Sequence, residues 1–200
     1  GSKKMKDFLH NIGVLNKIEF DIEEVGEPIP FRWGKCKLAT ASFGHGITTT
    51  LLQLAKGYSI ISNGGFDIKP TLIKIENKEN KKTRVLKKEV SKKINPILRK
   101  IVSTKEGTAN FANVEGYEVG GKTGTAQKSL NGIYSKDKIN TFAAVFPISK
   151  PKYILLVLLD EPKPSKDYIY HYRDGSGWKY KGTPYNTAGW TSVEIAGKII

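Results

Sequence analysis

The chain has 200 residues, enough for one domain with a hairpin-like excursion, and its single cysteine, Cys36, excludes an internal disulfide. Thirty-three Lys and Arg against 19 Asp and Glu give a formal charge of +14, which favours anionic partners. No zinc-ligand spacing, recognition-helix pattern or aromatic RNA-binding motif accompanies that charge, which sets nucleic acid aside, and no run of about 18 apolar residues could span a membrane.

Gly1-Ser2 reads as a cloning scar. Met5 to Leu15 predicts a short amphipathic helix, with Phe8, Leu9 and Ile12 on one face and Gly13 to end it. Ile18 to Arg32 is expected to be an extended, acid-rich loop. Gly44-His45-Gly46 then leads into a helix. Thr50 and Gln53 form a T-x-x-Q capping box, Leu51, Leu54, Ala55, Tyr58 and Ile61 recur at helical spacing, and Asn63-Gly64-Gly65 stops the run. His45 is read as part of the glycine-rich lead-in, not as a catalytic base.

Lys69 to Glu76 predicts a strand, Asn77 to Lys82 a polar turn, and Thr83 to Leu86 the returning strand. From Lys74 to Lys105 there are twelve Lys or Arg and three Glu. Such a stretch is a solvated face or a surface that meets anionic glycan or lipid headgroups. Asn95-Pro96 carries the signal for a helix start, Asn as cap and Pro in the first turn. Ile97, Leu98, Ile101 and Val102 follow at helical spacing, and Gly107 closes the run.

Ser129 to Lys138 is expected to be a polar connection. Thr141 to Phe146 and Tyr153 to Leu159 are β-rich apolar runs, with a hairpin-length link at Ile148 to Lys152. Their continuous apolar character asks for cover on both faces. Asp160 to Pro184 is irregular, and its aromatics are expected to cover the sheet. Thr191 and Glu194 spell a second capping box, opening a terminal helix with Val193, Ile195, Ala196, Ile199 and Ile200. The fold class that follows is α+β, an antiparallel sheet flanked by helices on both faces.

The chemistry is concentrated in Gly120-Gly121-Lys122-Thr123-Gly124-Thr125. Gly116 to Thr123 matches the phosphate-loop pattern G-x-x-x-x-G-K-[ST]. That loop needs a buried strand before it and a helix starting at the lysine. Ala109 to Glu115 is no buried strand, and Gly124 follows Thr123 directly. The other pattern is K-T-G, one of the three signatures of serine acyltransferases that recognise penicillin. There the strand lines a cleft, the lysine attracts an anionic substrate, glycine admits it to the backbone, and hydroxyls and an amide donate hydrogen bonds.

Three segments share one likeness: G-K-T-G-T-A-Q-K at Gly121 to Lys128, Gly44-x-Gly46 with T-x-x-Q-L-A and Asn63-Gly64-Gly65, and Gly107-Thr108-Ala109. Together they resemble the transpeptidase domain of class B penicillin-binding proteins, the cell-division type above all. The resemblance implies a peptidoglycan D,D-transpeptidase acting through an acyl-serine, with no metal and no cofactor. It covers residues 1–200 as the C-terminal portion of that domain, without its N-terminal strands and nucleophile helix.

It further implies stem peptides as substrate, β-lactam antibiotics as ligands, and a membrane glycosyltransferase with the wall-synthesis machinery as partners. The location implied is the periplasmic face of the inner membrane, with an anchor outside this chain. By matching positions, Lys122 meets the hydroxyl network of an S-x-N loop, and Thr123 and Thr125 face the substrate's terminal carboxylate. The Thr125 amide forms half of an oxyanion hole, and Gly124 leaves room for the acyl chain.

S-x-x-K occurs at Ser135, Ser149 and Ser176. Each follows the K-T-G and lies in loop-like sequence, where its lysine would stay solvated. The nucleophile is therefore expected upstream of Gly1. Three alternatives stand beside this reading: a β-lactamase relative, a phosphate-loop NTPase using Gly116–Thr123, and a non-catalytic binding fragment.

Overall fold

The computed structural model describes residues 1–23, 25–29, 33–34, 36–74, 83–130 and 133–200, with the backbone only at Ser129 and Leu130. The chain divides into two compact units, Gly1–Lys92 and Lys93–Ile200.

In the first unit, α1 (Ser2–Asn11), α2 (Lys37–Ala41) and α3 (Leu51–Ser62) are the helices. Leu9, Ile12, Val14 and Ile60 form its buried core. The predicted capping box of α3 is present in full: the Gln53 amide donates to Thr50 Oγ1 at 3.2 Å, and the Thr50 amide donates to Gln53 Oε1 at 2.7 Å. Gln53 is fully buried, and its Nε2 also donates to the Asn16 carbonyl at 2.5 Å.

At the end of α3 the backbone turns sharply. Gly65 has φ +88°, and a Cβ there would lie 1.9 Å from the Leu86 carbonyl oxygen. The Val85 and Leu86 amides donate to the Gly65 carbonyl, and the Asp67 amide donates to the Thr83 carbonyl. The returning segment thus pairs with residues 65–67, not with the strand expected at Lys69 to Glu76. Residues 69–74 form no strand. Leu72 and Ile73 stand exposed, and the Asp21 carboxylate takes the Thr71 hydroxyl at 2.6 Å and the Leu72 amide at 2.5 Å. Those two bonds, the Thr71 one first, hold the Asp21 carboxyl below its ordinary range. The remainder of the expected strand and the turn at Asn77 to Lys82 lie outside the described residues, as do Glu24 and Pro30 to Arg32 of the acidic loop.

Helix α4 (Lys88–Ser103) begins seven residues before the Asn95-Pro96 signal and carries Pro96 in its interior. The apolar period explains the difference, since Val90 and Ile94 extend the stripe of Leu98, Ile101 and Val102 upstream by two turns. Pro96 removes one backbone bond from the ladder, and the continued stripe overrides its breaking signal.

The second unit holds the sheet. Strands β1 (Gly120–Leu130), β2 (Ile133–Phe146) and β3 (Tyr153–Asp160) pair antiparallel in that order. The link between β2 and β3 is the expected hairpin at residues 147–152. The polar connection expected at Ser129 to Lys138 is strand instead, pairing Gln127 with Lys138 and Leu130 with Ile133 across an irregular step between Gln127 and Ser129. Polarity alone does not break a ladder whose faces are open to water. Asn131-Gly132, between the two strands, lies outside the described residues.

Beyond β3, β4 (Ile169–His171) and β5 (Lys179–Lys181) form a small hairpin inside the tract expected to be irregular. Helix α5 (Ser192–Ile199) closes the unit.

Phe142, Ala144 and Val157 on one sheet face pack with Val193 and Ala196 of α5, with Val102, and with Phe111 in a 3-10 turn. Tyr170, Tyr172 and Trp190 gather around Phe111 at centroid distances of 5.0, 4.8 and 5.2 Å, so the aromatic tract joins this core in part, while its Trp178 and Tyr180 are exposed. On the opposite face, a Cβ at Gly120 would meet Ile148 and the Arg99 backbone of α4. Helices therefore lie on both faces.

The second capping box does not form. Thr191 Oγ1 donates to the Thr187 carbonyl and accepts from Asn140 Nδ2. Glu194, 3% exposed, forms a two-pronged pair with Arg173 at 2.8 Å and accepts from the Tyr168 hydroxyl at 2.8 Å. A half-buried guanidinium bound through two nitrogens claims the carboxylate more strongly than a backbone amide does.

Glu194→Ala is expected to cost about 3–5 kcal/mol, because it removes a buried carboxylate and strands the half-buried Arg173 guanidinium. Lys198→Ala, which removes a half-exposed cation 4.0 Å from the same carboxylate, is expected to cost under about 1 kcal/mol. Urea-unfolding midpoints compare the two, and equal losses would contradict this assignment.

Candidate active site

The run Gly120 to Thr125 opens β1, an outer strand of the three-stranded sheet. Side chains alternate along a strand, so Lys122 and Gly124 share one face while Thr123 and Thr125 share the other. Lys122 is exposed, and its Nζ donates to the neighbouring Thr123 carbonyl at 2.7 Å. It has no salt-bridge partner among the described residues. Gly124 sits opposite Thr141, and a Cβ at Gly124 would lie 2.5 Å from Thr141 Oγ1. A side chain there would have to displace the Thr141 hydroxyl.

The threonine hydroxyls reach segments distant in sequence. Thr123 Oγ1 and Thr108 Oγ1 share a hydrogen bond at 3.0 Å. Gly107-Thr108-Ala109, singled out in the sequence without a role, is therefore brought onto the K-T-G strand. Thr125 Oγ1 accepts from the Ala188 amide at 3.0 Å, and Ala188 is fully buried. Opposite Thr125 on β2 stands the fully buried Asn140, whose Nδ2 donates to the Asn186 carbonyl and to Thr191 Oγ1, both at 2.8 Å. Asn140 and Ala188 carry no local sequence signal, because their partners lie about 50 or more residues away in a tract without periodicity.

Thr123 and Thr125, but not Lys122, line a cleft of about 300 Å³. Thr108, Thr123, Thr125 and Thr187 give it a hydroxyl wall, and Phe111, Tyr172 and Trp190 an aromatic one. The lining holds no carboxylate, imidazole or thiol. The lining offers hydroxyl and amide groups that can orient a polar ligand, and it holds no charged side chain.

Strand β1 runs unbroken through Lys122, so no helix starts there and the phosphate-loop reading has no structural basis. The three S-x-x-K serines are engaged locally. Ser135 Oγ accepts from the Asp137 amide, Ser149 Oγ bonds the Glu118 carboxylate, and Ser176 Oγ accepts from the Trp178 amide. None is bonded to the lysine three residues on. His45 and Cys36 belong to the first unit and are exposed. Among the described residues no cluster of His, Cys, Asp and Glu could hold a metal, and no helix is long and apolar enough to cross a membrane.

Residues 1–176 match the family model of the penicillin-binding protein transpeptidase domain. The chain belongs to that family. It is 35% identical over 170 residues to a probable peptidoglycan D,D-transpeptidase PenA of Neisseria flavescens, covering 83% of this chain and 42% of the relative. It is 28% identical to a probable peptidoglycan D,D-transpeptidase FtsI of Caulobacter vibrioides, covering 100% of this chain and 33% of that protein. Stage V sporulation protein D of Bacillus subtilis is 34% identical over 178 residues, covering 82% of this chain and 27% of that one. The chain thus spans less than half the length of these relatives.

Among solved structures, the transpeptidase domain of Burkholderia pseudomallei penicillin-binding protein 3 superposes with a TM-score of 0.79 at 25% identity, over 98% of this chain and 55% of that one. Penicillin-binding protein 3 of Mycobacterium tuberculosis gives 0.76 at 24%, over 100% and 46%, a likeness of fold. The resemblance read from the three sequence segments is thereby established, and the fold is part of the transpeptidase fold.

Thr125→Val keeps the shape of the side chain but leaves the buried Ala188 amide without its acceptor. It is expected to cost about 1–3 kcal/mol in urea unfolding, with Thr125→Ser close to wild type. A neutral Thr125→Val would remove this bond from the account of the site.

Proposed function

We propose that this chain forms the K-T-G side of the active site in a serine-type peptidoglycan D,D-transpeptidase, the nucleophilic serine coming from sequence outside these 200 residues. The observation that carries the proposal is Lys122. It is an exposed ammonium without a carboxylate partner among the described residues, in the K-T-G run of an outer strand, in a chain of the transpeptidase family.

In this reading a stem peptide lies along β1. Thr123 and Thr125 receive its terminal carboxylate as hydroxyl donors, and the charge of Lys122 favours an anionic substrate. Lys122 also contacts the hydroxyl of an S-x-N loop. The serine oxygen attacks the peptide carbonyl while its proton passes to a neighbouring lysine. The resulting oxyanion is held by two amides, that of Thr125 and that of the serine itself. Collapse expels the terminal residue as an amine, which takes up the proton. The amine of a second stem peptide then attacks the acyl ester and releases the serine. Gly124, without a side chain, lets the acyl segment approach the strand.

A β-lactam mimics the first half of this sequence and remains bound as a slowly hydrolysed ester, which separates the reading from that of a β-lactamase. The same proposal places the protein on the periplasmic face of the inner membrane, anchored by a segment outside this chain. There it works with a membrane glycosyltransferase and the division machinery.

Intact mass after incubation with benzylpenicillin tests the proposal on the 200-residue chain and on a longer protein that includes the upstream sequence. The expected result is one long-lived adduct on the longer protein and none on the shorter. Lys122→Ala in the longer protein is expected to slow acylation by about 10²–10³-fold with unfolding unchanged, since the side chain is exposed. An adduct on the shorter chain would instead indicate Ser135, Ser149 or Ser176. No adduct on either would overturn the reading.

A further inference from the structure

A second cavity, of about 370 Å³, lies at the start of β1 and is framed by Asn95, Pro96 and Arg99 of α4, by Glu118, and by Ile148 and Ser149 after β2. Its volume falls in the range of roughly 300–1,000 Å³ usual for small-molecule sites. Glu118 lies two residues before the start of β1, whereas the cleft is lined from that strand by Thr123 and Thr125. None of its lining residues belongs to that cleft.

Three features set it apart from ordinary packing space. First, it holds one cation and one anion that do not pair with each other. Arg99 Nη1 donates to the Val119 carbonyl at 2.7 Å, and among the described residues the other four N–H groups of its fork have no partner. Glu118 takes the Ser149 hydroxyl on one carboxylate oxygen, and no salt bridge joins it to Arg99. Second, Arg99 is half-buried. Burial pushes its guanidinium below the usual value, and the Glu118 charge works against that shift. A guanidinium that has lost water is stabilised by an anion bound in two-pronged fashion. Third, Glu118 holds its carboxylate from a left-handed backbone, φ +48°, a region costly for a residue with a side chain. Glu118 is nevertheless fixed there. Its carbonyl accepts from the Ile148 amide at 2.9 Å, and its carboxylate is bonded to Ser149.

We propose that this cavity binds a small zwitterion, an apolar α-amino acid. The half-buried Arg99 receives the α-carboxylate, the exposed Glu118 at the mouth receives the ammonium, and the side chain lies on Ile148 and Pro96. A ligand carrying both charges satisfies both groups at once. A simple anion would meet Arg99 but be opposed by Glu118, and a simple cation would meet the reverse. The proposal rests on this cavity alone and does not depend on the transpeptidase reading.

L-leucine is the probe, titrated into the ¹⁵N-labelled 200-residue chain while amide shifts are followed. Saturable shifts are expected at Val119, Ile148 and Ser149. Two analogues each remove one charge: 4-methylpentanoate lacks the ammonium and leucinol lacks the carboxylate. Each is expected to bind at least about tenfold more weakly. Glu118→Gln preserves size and the Ser149 contact, and it is expected to reduce leucine to the affinity of 4-methylpentanoate. Arg99→Gln is expected to reduce it to that of leucinol. Equal binding of leucine and 4-methylpentanoate would make this an anion site only. Unchanged leucine affinity in Glu118→Gln, or no saturable shift in the unmodified chain, would overturn the proposal.

Discussion

The register of β1 on β2 is the constraint on which the site depends. Side chains on a strand alternate, so a slip of one residue would carry Lys122 to the threonine face and both threonines to the lysine face. Two glycines lock the register by fitting features of β2. A Cβ at Gly121 would lie 2.6 Å from the Phe142 ring, and one at Gly124 would lie 2.5 Å from Thr141 Oγ1. Moving β1 one step either way sets a side-chain-bearing residue against one of these two groups. The glycines of the motif therefore serve the sheet before they serve any substrate. Their fit to β2 is what makes it possible for Lys122, Thr123 and Thr125 to hold fixed positions on an outer strand.

Behind that strand the support comes from far along the chain. Asn140 ties β2 to the segment at Asn186 and Thr191, and Thr125 ties β1 to Ala188 in the same segment. Arg173 and Glu194 then bind the aromatic tract to α5, and Arg173 also reaches the Phe111 carbonyl at 2.8 Å. The aromatics over Phe111 are half of the cleft and half of the core. A change in Glu194 and a change in Trp190 would thus reach the cleft through one layer, the first through charge and the second through packing.

Legibility in the sequence followed the range of the interactions. The Thr50–Gln53 capping box and the hairpin between β2 and β3 are settled by neighbours within a few residues, and both are present as read. The Thr191–Glu194 box has the same local spelling, yet Arg173 and Asn140 claim its two side chains from a distance. Pro96 carries a strong local signal for a helix start, but the apolar stripe that continues through Val90 and Ile94 outweighs it. Ser129 to Lys138 reads as a loop because polar residues dominate, whereas a hairpin open to water needs no apolar face. The motif that carries the chemistry was visible because its residues are contiguous. Thr108, Asn140 and Ala188 join it only through folding, and of these only Thr108 lay in a segment the sequence had marked.

The net charge of +14 identifies no site by itself, because lysines are spread throughout the chain. Two lysines on the same strand show what does. Lys128 is held by Glu161 at 2.8 Å and by Asp160 at 3.0 Å, and these carboxylates, Glu161 first, raise its ammonium above the ordinary value. Its charge is already spent within the protein. Lys122, six residues earlier, has the same side chain and an exposed position but finds only its neighbour's carbonyl oxygen. A carbonyl orients the ammonium without pairing its charge, so Lys122 keeps a charge free to attract an anion, on the strand face opposite the Thr123 and Thr125 side chains. The distinction between a structural lysine and a binding one lies in where the acids are placed. Asp160 at the end of β3 and Glu161 just after it lie within reach of Lys128, whereas Lys122, whose partner on β2 is Ala143, has no acidic partner among the described residues.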